Sequence, residues 1–346
     1  MTANLAGADG LEIPALATYF AAHVPDFEGP LTARLLEGGR SNLTYRLSDA
    51  AGHSWVLRRP PLGTLTPSAH DMRREYRVVS ALHSSGVPVA ATIAYDDGDV
   101  LGVPFSVVEY VEGRVVRTEE QLEKLPAGQI RRGALALVDV LVRLHAVDPD
   151  AVGLADFGRP HGYLARQVNR WYDQWRRVQT RELRDLDRLR EQLVQRCPLE
   201  SGACVVHGDF RIDNAILDPA DAADIRAIVD WEMATLGDPL ADLGLHLVYR
   251  DPAFAPVLGG SAASTSPLLP SPADLAEHYA RQTGFSVDQL DFYVALGYFK
   301  IAVIAEGIHA RFRAGKTLGE GFETVGDAVA PLAAAGVAAL RPVSAR

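Results

Sequence analysis

Val205-Val206-His207-Gly208-Asp209-Phe210-Arg211-Ile212-Asp213-Asn214 decides the reading of this chain, together with the short apolar strand Ile225 to Val229, broken by one Arg, that delivers Asp230-Trp231-Glu232. Three polar groups stand out. Asp209 offers a carboxylate that can orient a hydroxyl or take its proton. Asn214 offers an amide oxygen and Asp230 a second carboxylate, hard oxygen donors of the kind that bind magnesium alongside phosphates and water. These are the groups that phosphoryl transfer from a nucleotide needs. Arg211, two residues after Asp209, is a cation able to neutralise charge on a transferring phosphoryl group. His207 reads as a core histidine that locks the loop by hydrogen bonds. Asp213 reads as solvent-facing or a local cap.

The spacing H-x-D-x-x-x-x-N resembles that of the protein-kinase catalytic loop, with Asp230 standing where D-F-G supplies its Asp. Upstream marks are weaker. Gly38-Gly39-Arg40-Ser41-Asn42 lies between two predicted strands, where backbone amides could cover phosphates. Arg58 ends the strand Trp55-Val56-Leu57, the place of the phosphate-binding Lys in V-A-I-K, and Glu75 on the following helix is its natural ion-pair partner.

Working outward, residues 11–24 predict a short helix. Leu31 to Leu36, Leu43 to Leu47 and Ser54 to Arg58 predict strands, separated by the turns Glu37-Gly38-Gly39 and Asp49-Ala50-Ala51-Gly52. Met72, Tyr76, Val79 and Leu82 are spaced for one face of a helix over 71–83, and two more strands follow at 91–95 and 104–110. After Gly113 the character turns helical. Ile130, Ala134, Leu137, Leu141 and Leu144 mark an amphipathic core helix, and 163–196 is a long helical segment, kinked or split. Strands at 204–207 and 225–230 flank the decisive motif, and helices are predicted at 238–250, 273–283, 288–314 and 321–340. Between them, 251–272 is rich in Pro, Gly, Ser and Ala without periodicity, which predicts a long flexible loop, either a plain surface loop or a lid.

The fold class is therefore α+β: a nucleotide-binding lobe over 1–110, an antiparallel sheet with one main helix, and a mostly helical catalytic and substrate lobe over 111–346. The length of 346 residues suits two lobes, and 48% hydrophobic with 23% charged residues is ordinary globular composition. Lys+Arg 34 against Asp+Glu 44 gives −10, which argues against nucleic acid as the main ligand. Cys197 and Cys204 form no C-x-x-C pair, so a zinc site or disulfide framework is not expected. The first ten residues carry no signal-peptide pattern and no uninterrupted apolar run approaches a membrane span, so the expectation is a cytoplasmic protein without a membrane partner. Nothing in the sequence fixes an oligomeric state.

Competing motifs fail. Gly315-Lys316-Thr317 has the tail of a Walker A, but Ala310 stands where its first Gly belongs and a helix precedes it. There is no G-x-S-x-G and no H-E-x-x-H. The arginines from Arg166 to Arg190 are interleaved with Asp173, Glu182, Asp185 and Asp187, the pattern of a salt-bridged solvated face.

With these residues in hand, the chain resembles the aminoglycoside phosphotransferase/choline kinase-like family, a branch of the protein-kinase-like fold, from about Leu31 to at least Leu247. The resemblance implies ATP as phosphoryl donor (GTP not excluded), Mg2+, and a small-molecule hydroxyl as acceptor. It implies Asp209 as catalytic residue, Asn214 and Asp230 as metal ligands, and Arg58 with Glu75 as the phosphate-anchoring pair. Val107-Val108-Glu109-Tyr110-Val111 would be the hinge whose backbone, at Glu109 and Val111, pairs with adenine. Asp242, in Gly237-Asp238-Pro239-Leu240-Ala241-Asp242-Leu243, would buttress the catalytic loop. A narrower likeness lies in Trp55-Val56-Leu57-Arg58-Arg59-Pro60-Pro61, Arg166-Gln167-Val168-Asn169-Arg170-Trp171 and Ala234-Thr235-Leu236-Gly237-Asp238-Pro239, which look like the kinase-like domain associated with acyl-CoA dehydrogenases. That subgroup carries Arg at the strand position of Arg58. It points towards other hydroxyl compounds than aminoglycosides, a hydroxyacyl-CoA among them, with an aminoglycoside or other antibiotic as the alternative substrate class. A pseudokinase or regulatory module is the alternative, and Arg in place of Lys is its support.

Overall fold

The structure, a computed structural model, describes residues 10–36, 42–62, 71–317 and 321–340. The chain forms two compact units, residues 1–112 with 226–232, and residues 113–225 with 233–346. Ser41 and the glycines before it lie outside the described residues.

The first unit is built on five antiparallel strands, β1 (Thr32–Leu35), β2 (Leu43–Ser48), β3 (Ser54–Arg59), β4 (Thr92–Asp96) and β5 (Phe105–Glu109), in the order β1-β2-β3-β5-β4. Strand alternation decides what each face carries. Along β3, Trp55 and Leu57 are buried together with Tyr45, Leu47, Phe105 and Val107, and helix α1 (Ile13–His23) closes this core with Leu16 and Phe20. Arg58 belongs to the opposite face. There it meets helix α2 (Met72–Leu82), which starts at the Asp71 cap, whose side chain accepts from Arg74 N at 2.9 Å. The β2–β3 register pairs Arg58 with Thr44, so the cation sits in the middle of the sheet. Residues 226–232 are tied to this unit by Ile228 N, which donates to Pro88 O at 2.8 Å. Trp231 Nε1 then folds the chain back by donating to Ile228 O at 2.9 Å.

The second unit is mostly helical. Its helices are α3 (Glu119–Glu123), α4 (Ala127–His145), α5 (Tyr163–Val178), α6 (Arg184–Gln195), α7 (Pro239–Val248), α8 (Pro272–Thr283), α9 (Leu290–Arg313) and α10 (Val329–Ala339). Short strands are β6 (Cys204–Val206), β7 (Ala215–Leu217), β8 (Ile225–Ile228), which leads from this unit into the first, and β9 (Thr235–Gly237). β9 pairs antiparallel with β6. α9 is central, packed against α5, α7 and α10. It approaches α7 so closely that a Cβ on Gly244 would stand 2.6 Å from the Tyr293 backbone. By length and composition α9 could cross a membrane, the one such helix among the described residues, but 67% of that window is buried in the unit, as in a core helix.

In two segments tertiary contacts set the local structure, the first split as the sequence allowed and the second more ordered than expected. The helical run 163–196 splits into α5 and α6 because the fully buried carboxylate of Glu306 captures the residues between. Thr180 donates to it from N (2.7 Å) and Oγ1 (2.8 Å), and Arg181 from its guanidinium (3.0 Å). The stretch 251–272, expected as a flexible loop, instead holds 3-10 turns at Pro252–Leu258 and Ala263–Thr265, with Ala262, Ala263 and Ser266 buried. One guanidinium organises it. Arg250 donates to the carbonyls of Ser264, Ser266, Leu269 and Pro270, so backbone acceptors that would otherwise need water are satisfied internally.

Candidate active site

In the second unit, β6 runs into His207, and the loop that follows is held by an unusually complete set of bonds. α7 is started by Asp238, whose side chain accepts from Leu240 N at 2.9 Å with Pro239 at the first helical position. Four residues on, one helical turn along, stands Asp242. Its carboxylate accepts from His207 N at 2.5 Å and Gly208 N at 2.8 Å. Gly208 has φ +81°, and a Cβ there would lie 2.7 Å from Met233 O, so only glycine passes. His207 is fully buried. Its Nδ1 accepts from Asp209 N at 3.2 Å, which places the ring proton on Nε2 and leaves the imidazole a scaffold.

Asp209 is the focus of the loop, its side chain 21% exposed. Tyr249, at the end of α7, donates its hydroxyl to Oδ1, Arg211 Nε lies 3.2 Å from Oδ1, and Asn214 Nδ2 donates to Oδ2 at 3.1 Å. Burial pushes this carboxyl up. Arg211, Tyr249 and Lys300 outweigh it, and the group is held below the usual carboxylate range. Asn214 Nδ2 also donates to Asp209 O at 2.9 Å. With both donors spent on acceptors, the amide orientation is fixed and its oxygen is the end left for a ligand. Arg211 is engaged on two sides, by Asp209 and by Asp213. Asp213, expected to face solvent or cap, points inward instead, because Arg211 draws it in. Burial pushes its carboxyl up, and its Oδ1 is buried without a partner.

The Asp242 carboxyl is pushed up by burial but more strongly down by His145, whose Nε2 stands 3.5 Å away, and by the Gly208 N–H. Its folded value therefore lies below its unfolded one. Its contribution to stability is complete above about pH 4 and is lost as pH falls through the folded value. Replacing Asp242 by Ala strands two buried N–H groups, for about 2–4 kcal/mol of destabilisation. Urea unfolding should show that deficit unchanged from pH 5 to 8 and shrinking towards pH 3. A deficit that does not shrink in acid would remove the ionised form from the account.

The first unit holds a second constellation. Arg58 donates to Glu75 Oε1 at 2.5 Å and to Asp230 Oδ1 at 3.0 Å. Burial lowers the pKa of the guanidinium, but Glu75 and Asp230 raise it further, so it stays cationic. Glu75 is 5% exposed, and its Oε2 and Arg58 Nε are buried without partners. Asp230 has φ +68°, a left-handed conformation that costs an ordinary residue about 1–2 kcal/mol and that Asp tolerates. Asn42 joins through Glu232, donating to Oε2 at 3.3 Å. At the end of β5, Glu109 pairs with Ala91 through both its N–H and its side chain. Tyr110 N reaches Ser54 O, whereas the N–H of Val111 has no hydrogen-bond partner among the described residues.

The sequence-derived residues thus fall into two groups. His207, Asp209, Arg211, Asn214 and Asp242 come together in the second unit. Arg58, Glu75, Asp230 and Asn42 come together in the first, with Glu109 and Val111 at its strand end. Sequence reasoning missed Tyr249, Lys300 and Glu232. Lys300, which donates to Gly208 O, left one signal: between Phe292 and Ile308 only it and Glu306 carry charge.

Also in the second unit, an open cavity of about 420 Å3 is lined by Arg159, Arg166, Arg170, Asp173, Thr235 and Leu236, among others. Thr235 and Leu236 lie on β9, paired with Val206 and Val205 of the strand that runs into the 207–214 loop.

Sheet, helical unit and site define a kinase-like phosphotransferase fold. The chain belongs to the phosphotransferase enzyme family, whose model matches residues 32–278. It is 36% identical over 335 residues to acyl-CoA dehydrogenase family member 11 of Gallus gallus, which covers 93% of this chain and 42% of that protein. The chain thus spans less than half the length of that relative. Among solved structures, a Ralstonia eutropha JMP134 protein provisionally named an aminoglycoside phosphotransferase superposes with TM-score 0.78 at 31% identity, over 94% of this chain and 97% of that one. A thermostable mutant of aminoglycoside phosphotransferase APH(4)-Ia, in ternary complex with ADP and hygromycin B, shares the fold with TM-score 0.61 at 16% identity, over 97% and 99% of the two chains.

Proposed function

We propose that this protein transfers the γ-phosphoryl group of ATP to a hydroxyl of an anionic small molecule, with a hydroxyacyl-CoA as the class of acceptor. The observation that carries the phosphotransferase reading is Asp209, an ionised carboxylate at the surface of a loop whose backbone is fixed by Asp242, His207 and Lys300. Asp209 orients the acceptor hydroxyl and takes its proton as the oxygen–phosphorus bond forms and the bond to the departing nucleoside diphosphate breaks. Arg211, held by two carboxylates, orients Asp209 in this reading. Asn214 and Asp230 supply the hard oxygens that would hold magnesium, which neutralises phosphate charge when bound. Among the described residues no cluster of three or more His, Cys, Asp or Glu side chains forms a protein cage for a metal, in keeping with an ion held largely by phosphates and water. The unpartnered N–H of Val111 is suited to the adenine edge.

The acceptor class rests on charge. An aminoglycoside is a polycation and calls for a carboxylate-lined site, whereas Arg159, Arg166 and Arg170 against Asp173 make this cavity cationic. Thr235 and Leu236 of the cavity lie on β9, which pairs with β6, the strand that runs into the Asp209 loop. The relative named for acyl-CoA dehydrogenases supports the same class.

Thermal denaturation with MgATP, then with hydroxyacyl-CoAs, aminoglycosides and macrolides, tests both levels, since a ligand of the folded state raises the midpoint by mass action. The expectation is a shift with MgATP, a further shift and phosphorylation with a hydroxyacyl-CoA, and none with aminoglycosides. Arg170→Glu should raise KM for that acceptor at least about tenfold, roughly the cost of one charge-assisted contact, with kcat little changed. Phosphorylation of aminoglycosides alone would overturn the acceptor class. Nucleotide binding without turnover of any acceptor would favour the regulatory-module reading.

A further inference from the structure

The catalytic loop is closed by a group that neither its motif nor its neighbours in sequence supply. The N–H groups of His207 and Gly208 go to Asp242 and that of Asp209 goes to His207, while the Gly208 carbonyl accepts from Lys300. Lys300 comes from the middle of the apolar α9. Its Nζ lies 5.5 Å above the Trp171 ring centroid, and among the described residues it forms no ion pair. Lys300 is half-buried, and an ammonium held there with one carbonyl and one ring face for company gives up part of its hydration. A neutral donor or a water would serve the carbonyl alone. The charge calls for another explanation, and the neighbouring cation does not supply it, because Arg211 is shared between Asp209 and Asp213.

We infer that Lys300 is a positioning residue for phosphoryl transfer: it fixes the peptide preceding Asp209 and bonds a positive charge to it. The inference rests on the role proposed for Asp209. Burial lowers the ammonium to about 8, with Asp209 of the loop and Asp242 of α7 pulling it up and Arg170 of α5 pushing it down. The charge is therefore present at neutral pH and lost within the range where enzymes are assayed.

The test is turnover of MgATP, with the acceptor found by the denaturation screen or with water, for the wild type, Lys300→Met, Lys300→Arg and Asp209→Asn, from pH 6.5 to 9.5. Wild-type kcat should fall as pH rises through about 8. Lys300→Met should lower kcat at neutral pH by about 10²-fold, the scale of one preorganised electrostatic group, with KM for MgATP within about threefold and no alkaline fall. Lys300→Arg should restore much of kcat and move the alkaline fall beyond pH 9.5. A plug that only fills the α9 interface would alter the melting temperature and leave these profiles alone. A folded Lys300→Met with wild-type kcat, or wild-type kcat flat from pH 7 to 9.5, overturns the inference, and the second result needs no variant to fold. Full activity in Asp209→Asn would instead overturn the reading of Asp209, with Lys300 judged separately from its own profile.

Discussion

Asp209→Asn should lower kcat by about 10³-fold, in the middle of the range for a group that takes a proton in the transition state, while affinity for MgATP stays within about threefold. The substitution keeps the shape of the side chain and an oxygen for the Tyr249 hydroxyl. It puts an amide –NH2 where Asn214 Nδ2 and Arg211 Nε now find an acceptor, so the loss combines a missing base with donors facing donors. Asp209→Ala avoids that clash and serves as the control. The two variants should agree in kcat if the base is what matters, and differ in unfolding midpoint if the local bonds are. Because its surroundings hold the Asp209 carboxyl below the usual range, the base form is fully populated at neutral pH, and no acid limb above about pH 5 should come from this group. A coupled assay of ADP release beside calorimetric titration of MgATP measures both halves. Equal turnover in all three proteins would leave the loop a scaffold.

Much of this site was legible because its chemistry is local. His207, Asp209 and Asn214 lie within eight residues, and a short loop leaving a strand has few ways to arrange them. The Asp238-Pro239 start of α7 fixes where Asp242 falls, since a capped helix has a known phase. Arg58 and Glu75 were reachable because strand alternation turns Arg58 away from the Trp55 and Leu57 face and towards the next helix. Groups supplied by distant elements were not legible. Tyr249 stands 40 residues from Asp209, and Lys300 92 residues from Gly208. Only the packing of α7 and α9 brings them to the loop. The inward turn of Asp213 follows from Arg211, and the order in 251–272 follows from Arg250, each a tertiary choice with no period in the sequence. Composition marked 251–272 as loop because Pro and Gly break regular structure, but a single guanidinium can organise such a segment without periodicity.

The second large effect is expected at Asp230, and its sign should depend on the metal. Asp230→Asn keeps a side chain that tolerates φ +68°, where Ala would add backbone strain to the loss of charge, so Asn is the cleaner probe. Arg58 loses one carboxylate partner but keeps Glu75 at 2.5 Å, so the strand–helix pair should survive. If Asp230 holds magnesium against the nucleotide phosphates, removing its charge should weaken MgATP or MgADP binding by at least about tenfold, roughly one charge-assisted contact, and lower turnover by about 10²–10³-fold. Metal-free ATP should respond in the opposite direction. A carboxylate close to the triphosphate repels it when no cation lies between, and Arg58, released from that carboxylate, has more positive charge to offer. Affinity for ATP in excess chelator should therefore be equal or higher in the variant. A general defect in folding or pocket shape would weaken both titrations together, so the crossing of the two is the signature of a metal-bearing carboxylate. If both affinities fall by the same factor, Asp230 acts through Arg58 and the sheet, and it is not a magnesium ligand.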